Sequence, residues 1–210
     1  MKIREFQVGG RRIFLLPVIK GLKSEIQAVK NAFDYARPGK VAISVSPEDL
    51  QGLRQMPADY VPELSRYEEL YAELLSRYGD VAAPPPAYIA AVELADHMAI
   101  PIVPVDLDEV SYTALYCAAV TGTTLFRHST RLWLLRRRGF PQTKPEDFVL
   151  AWDRRTNNMR GFMLIEEKRA KAMAEGILGC AKGIERLLAI VELERAGQVS
   201  ELLEASIRKG

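Results

Sequence analysis

Apolar and polar positions change their period several times along the chain, and the changes mark out alternating strands and helices. Ile13–Leu16 is a short apolar run after Gly9-Gly10, the pattern of a buried strand. Ser24 is placed to cap the next helix, in which Ile26, Val29, Phe33 and Ala36 recur on one face. Pro38-Gly39 ends that helix, and Lys40–Val45 reads as a second strand. Ser46-Pro47-Glu48-Asp49 opens another helix, with a capping serine, proline at the first position and acids in the first turn. A strand–helix–strand unit of this length implies parallel pairing through a right-handed crossover.

The pattern continues in the same style. Pro62–Tyr78 reads as a tyrosine-rich helix with Leu64, Leu70, Leu74 and Leu75 turned inward. Gly79–Pro86, with three consecutive prolines, is the clearest break in the chain and reads as an exposed, semi-rigid connection. Ala87–Met98 is a second amphipathic helix and Ile102–Val105 a strand, in which Pro104 lacks a donor and so points to one-sided pairing. Helices follow at Ser111–Val120, Ser129–Arg138, Thr143–Arg155 and Gly161–Ala181. For Leu187–Val191 periodicity accepts strand or helix, and a last helix covers about Gly197–Ile207. The expectation is one α/β domain over residues 1–210, with an internal connection at 79–86. Its core is a central, mainly parallel sheet of about four or five strands flanked by helices.

Composition narrows this little. The 210 residues are 48% hydrophobic and 27% charged with a net charge of +2, enough for a full core and no global field toward nucleic acid or membrane. No apolar run reaches the roughly 18–20 residues of a membrane span. The opening MKIREFQVGGRRIF has neither a signal core nor a small-residue cleavage site, so the expected location is the cytoplasm. Cys117 and Cys180 sit inside apolar helical patterns and read as core residues. His97 and His128 are the only histidines, and no His/Cys cluster is spaced for a metal; neither metal nor cofactor is expected. Scarce amides and plentiful charges suggest a thermophile.

The segment RRIFLLPVIKGLKSEIQAVKNAFDYARPGKVAISVSPEDLQGLR, together with AYIAAVELADHMAIPIVPVDLD, resembles the TraB/Tiki-type superfamily, which includes pheromone-shutdown proteins and membrane-tethered proteases. The resemblance covers about Arg11–Leu203 and rests on element order and apolar pattern; it implies that Leu187–Val191 is a strand. The family's motif residues are replaced. Its first strand ends in a Gly-Thr-x-His-like turn, here Pro17-Val18-Ile19-Lys20, and the Glu of its second strand is Ser44. Its Gly-Ile-Pro-like turn is Ala99-Ile100-Pro101, and its Glu-Arg pair before Met-Ala is Lys168-Arg169 before Met173-Ala174. Its later Gly-x-Gly-His-like segment is Glu192-Leu193-Glu194-Arg195. In members thought to be metal-dependent hydrolases, histidines and glutamates at these strand ends would let zinc activate water. Without them the resemblance implies a catalytically degenerate member.

In an open parallel sheet, ligands bind beyond the carboxyl ends of the strands. Pro17–Lys20, Ser44–Glu48, Asp106–Glu109 and Glu192–Arg195 should converge there. The candidates are Lys20, Ser44, Asp106, Asp108 and Arg169. Lys20 can bind an anion or pair with Asp106 or Asp108. The two aspartates point to one side of an extended end and can hold a hard cation, or Asp108 can cap the following helix. Ser44 has no histidine in its neighbourhood to activate it as a nucleophile.

A second feature lies elsewhere. No Asp or Glu occurs from Ser111 to Pro145, a stretch holding Arg127, Arg131, Arg136, Arg137 and Arg138 around Trp133. Such residues can hold phosphates and stack on bases. They can equally serve the helix C-terminal dipole or pair with Glu63, Glu68 or Glu69, and that reading is favoured over nucleic acid. The expected function is a binding or regulatory module that self-associates, with a protein partner also open. The alternatives are a hydrolase with a rearranged site at the strand ends, and an RNA- or phosphate-binding protein using the Arg127–Arg138 surface.

Overall fold

Gly9 and Gly10 adopt φ values of 55° and 80°, the left-handed backbone that a two-residue hairpin turn requires at both central positions. They join β1 (Arg4–Val8) to β2 (Arg11–Val18) in an antiparallel pair that starts at Val8↔Arg11. A computed structural model describes residues 3–57 and 60–208 of the chain. β1 is not among the strands the apolar pattern marks: it reads REFQV, and only Phe6 of it is buried.

From β2 the chain follows α1 (Glu25–Ala36), β3 (Lys40–Ile43), α2 (Pro47–Gln55), α3 (Arg66–Leu75), a 3-10 turn at Ser76–Tyr78, α4 (Pro86–His97) and β4 (Ile102–Pro104). It continues through α5 (Glu109–Ala119), α6 (Gly122–Arg138), α7 (Pro145–Thr156), α8 (Arg160–Cys180), β5 (Arg186–Glu192) and α9 (Leu193–Ile207). The fold is α/β. Among the described residues the strands form one five-stranded sheet in the order β1-β2-β5-β3-β4, parallel except for the β1–β2 pair. β4 lies at the edge, where Pro104 needs no partner on its open side.

The alternation of β2, β3 and β5 divides the core. Phe14, Leu16, Val18, Val41, Ile43, Leu188 and Ile190 pack beneath α1 and α4. Ile13, Leu15, Ala42, Leu187, Ala189 and Val191 pack beneath α8 and α9. A third cluster joins Ile19 and Leu22, just past β2, to Leu74, Leu75, Phe148 and Trp152 of α3 and α7 and to Leu135 of α6. It carries a helical cap over one end of the sheet. No helix among the described residues is long and apolar enough to cross a membrane.

Several local expectations need correction. Ser24 stands before α1 but is itself in helical backbone and makes no capping bond. The Pro62–Tyr78 helix starts only at Arg66, because Ser65 and Glu68 form a capping box there. α9 begins at Leu193, so Glu194 and Arg195 belong to its first turn rather than to a loop. Cys117 is exposed and Cys180 half-buried, both as free thiols. Cys117 lies outside the core because none of α5 is buried, although its sequence is apolar.

Candidate functional site

β5 runs LLAIV and ends in a charge, Glu192, whose side chain is 3% exposed. An ionised carboxylate in that position needs compensating cations. Three come to it. Lys20 Nζ, from the turn after β2, lies 2.5 Å from Oε2, and Arg169 Nη2, from α8, lies 3.0 Å from Oε1. Arg195 Nε, from the first turn of α9, lies 3.9 Å from Oε1. Burial alone would raise the Glu192 pKa, but Lys20 and Arg169 outweigh it and hold the carboxylate well below its usual range.

The same cations reach further acids. Arg169 Nη2 donates to Asp106 Oδ2 at 2.5 Å, and its Nη1 to Glu166 Oε2 at 3.0 Å. Arg195 Nε is 3.1 Å from Glu166 Oε2, and its Nη2 donates to Asp153. Lys20, Arg169 and Arg195 thus alternate with Asp106, Asp153, Glu166 and Glu192 in a closed network. Burial lowers the Lys20 pKa, yet Glu192 and Glu194 overcome that and hold it well above its usual value.

The network carries one more anion than cations, and Glu194 stands next to it. Burial first, then repulsion from Glu192, raises the Glu194 pKa to about 7, against the pull of Lys20. Its Oε2 is buried and has no hydrogen-bond partner among the described residues; the same holds for the Tyr71 hydroxyl. Both groups border a cavity of about 560 Å³ walled by Lys20, Leu64, Tyr67, Ala72, Val81 and Pro84. Lys20 and Glu194 also line a smaller cavity of about 270 Å³ containing His128, Trp152, Phe162, Arg169 and Arg195. Here the Trp152 indole N–H donates to the Tyr67 hydroxyl at 2.7 Å.

Four of the five sequence candidates meet. Lys20, Ser44, Asp106 and Arg169 line one cavity of about 630 Å³, together with Glu192 and Tyr88. Their pairings differ from expectation. Lys20 takes Glu192 rather than Asp106 or Asp108, because Asp106 is occupied by Arg169. Asp108 is not part of the cluster: it caps α5, accepting from the Ser111 amide and hydroxyl at 2.8 Å each, and those bonds lower its pKa. The aspartate pair therefore does not form a cation site. No group of three or more His, Cys, Asp or Glu among the described residues is placed to hold a metal ion.

Ser44 is 3% exposed; its Oγ accepts from the Glu192 amide at 3.1 Å and lies 2.8 Å from the Tyr88 hydroxyl. It ties β3 to β5 and has no base beside it. Glu166 and Asp153 lie outside the sequence candidates, and Glu194 and Arg195 entered only within the converging Glu192–Arg195 segment. The signals for them were a charge closing an all-apolar strand at Glu192, and the three-residue spacing that sets Glu166 and Arg169 on one face of α8.

Of the basic-stretch candidates, Arg127, Arg131 and Arg138 face two grooves beside α6. Arg136 approaches Glu73 at 3.8 Å, and Arg137 stacks on Trp133 at 4.0 Å. None pairs with Glu63, Glu68 or Glu69, and Glu68 is engaged by Ser65. Compared with known proteins, the chain matches no family model and no curated protein.

Proposed function

We propose that this chain is a catalytically degenerate TraB/Tiki-like protein that binds a small polar ligand at the carboxyl ends of its sheet and uses that binding for regulation. The observation that carries the reading is the closure of the Glu192 network. Lys20, Arg169 and Arg195 are each matched by carboxylates, and Ser44 is locked between Tyr88 and the Glu192 amide. A hydrolase needs a nucleophile or water beside a base of free valence. Glu192 Oε2 and Arg195 Nε lack hydrogen-bond partners but lie within ion-pair distance of Lys20 and Glu166. Glu194 Oε2 and the Tyr71 hydroxyl, in contrast, have neither hydrogen bond nor ion pair among the described residues and belong to residues that line a cavity of ligand size. Hydroxyl or amine groups on a ligand would satisfy both.

Self-association belongs to the same reading. α5 carries a single charged residue, Glu109, and buries none of its side chains. Val110 on α5 is 78% exposed, and Met163 on the adjoining α8 is 57% exposed. Exposed apolar side chains along these two helices are suited to meeting a second copy across a two-fold axis. Light scattering on Val110→Lys with Met163→Lys should report a shift toward monomer.

The binding reading is tested by thermal shift against small amines and polyols, alongside assays on ester, amide and phosphomonoester substrates. A stabilising compound should lose its effect in Lys20→Met and Glu194→Gln. Turnover abolished by Glu194→Gln would overturn the reading in favour of a hydrolase with a rearranged site.

A further inference from the structure

Away from the ion cluster, two grooves beside α6 are lined by cations and by no carboxylate. A groove of about 810 Å³ beside α6 is lined by Arg77, Arg131, Arg138 and Arg155 and by no carboxylate. It adjoins a second groove of about 870 Å³, which adds Arg127 and Arg160 and again contains no acid. The two share Arg131, Leu134 and Asn158, so they form one continuous track. None of these six arginines takes part in an ion pair among the described residues.

Two of them are held in place. Arg131 Nη1 donates to the Arg155 carbonyl at 3.1 Å and to Asn158 Oδ1. The Arg155 guanidinium packs 4.8 Å from the Phe140 ring centroid. Carbonyls and a ring orient Arg131 and Arg155, which are half-buried, without neutralising them, while Arg77, Arg127, Arg138 and Arg160 are exposed around them. The missing counter-charge is therefore external. A track of two grooves suits several phosphates in line rather than one. Phe126, 74% exposed, borders the second groove, and Trp133 of the same helix is 53% exposed with Arg137 4.0 Å from its ring centroid. Exposed rings along a basic groove provide stacking surfaces for unpaired bases.

We infer that this face binds single-stranded nucleic acid, with phosphates along the arginine track and a base on Phe126. The site is separate from the carboxyl-end cleft, and its success or failure leaves the reading of that cleft untouched.

Fluorescence anisotropy with labelled oligouridylate and oligothymidylate tests it. With about four phosphates engaged, the slope of log affinity on log salt should be about −3, a roughly fiftyfold loss between about 50 and about 200 mM salt. Arg127→Glu with Arg138→Glu and Arg160→Glu, all at exposed positions, should weaken binding at least about tenfold at low salt. The corresponding three lysine substitutions should keep most of it, and matched circular-dichroism melts check folding. Phe126→Ala should weaken the oligonucleotide but not inorganic polyphosphate. Absence of binding at low salt, or binding indifferent to the glutamate variant, overturns the inference. It is likewise overturned if Phe126→Ala has no effect while polyphosphate competes equally, or if phosphatidylserine vesicles bind more tightly than the oligonucleotide.

Discussion

Lys20 Nζ lies 2.5 Å from Glu192 Oε2 and thereby ties together the ends of two adjacent parallel strands. Val18 and Glu192 are register partners, and Lys20 turns back from two residues further along. The geometry gives the protein a charged clasp where other proteins of this architecture keep a ligand site. It also sets pH behaviour. The Glu192 pKa is depressed, so its stabilisation is present above the ordinary carboxylate range and lost as pH falls through its lowered folded value. The Lys20 pKa is raised, so its stabilisation holds below the ordinary lysine value and is lost in stronger base.

Glu192→Gln should therefore destabilise the fold by about 3–5 kcal/mol at neutral pH, because three cations lose a buried partner at once. Urea unfolding measures the change, and the gap from wild type should narrow in acid, where the wild-type carboxylate also takes a proton. Equal midpoints at neutral pH would show that the clasp contributes nothing.

The strand cores offer a second measurement. Leu15 and Ile43 are both fully buried, one facing α8 and α9, the other facing α1 and α4. Leu15→Ala or Ile43→Ala should each cost about 2–5 kcal/mol through lost burial and a residual cavity. An unchanged melting temperature for either would contradict its place in the sheet.

The sheet was legible in the sequence at Ile13–Leu16 and Val41–Ile43, whereas the equally apolar Leu187–Val191 fitted strand or helix by its pattern alone. β1 was not legible, because it pairs at an edge with one face exposed and its residues are mostly polar. Lys20, Ser44, Asp106 and Arg169 could be assigned to one end of the fold from topology. Glu192 and Arg195 fell in the segment expected to converge with them, but Glu166 and Asp153 could not be placed, since they lie on helices whose rotation over the sheet is set by tertiary packing. Periodicity also misplaced Cys117, because an apolar helix reads as buried whether or not a partner covers it.

A third prediction concerns the turn between α4 and β4. Ala99 has φ 52°, and the Ile100 amide reaches back to the Ala95 carbonyl at 2.8 Å. The left-handed backbone costs a residue with a Cβ about 1–2 kcal/mol. Ala99→Gly removes that strain but loosens the unfolded chain by about 0.4–1 kcal/mol. The net should be a gain of up to about 1 kcal/mol, a rise of roughly 2–4 °C in Tm for a chain of this size. A lower Tm would mean that the turn is not strained.

The last prediction separates Glu194 from Glu192, its neighbour in the cleft. The Glu194 pKa is raised from 4.5 to about 7, first by burial and then by the negative Glu192. The folded protein thus holds a proton that the unfolded chain releases above the ordinary carboxylate range. Stability should fall as pH rises from the unfolded value through about 7 and level off beyond it, the reverse of the Glu192 contribution. Glu194→Gln fixes the neutral form. The variant should match wild type near pH ~4 and exceed it by about 1–3 kcal/mol near pH ~8, where the wild-type carboxylate is charged against its surroundings. Denaturant midpoints across that range give the difference curve directly. Parallel profiles would assign Glu194 an ordinary acidity and remove it as the poised group of the cleft; a gap that opens steadily between pH ~4 and pH ~8 would leave it a carboxyl able to exchange a proton near neutrality.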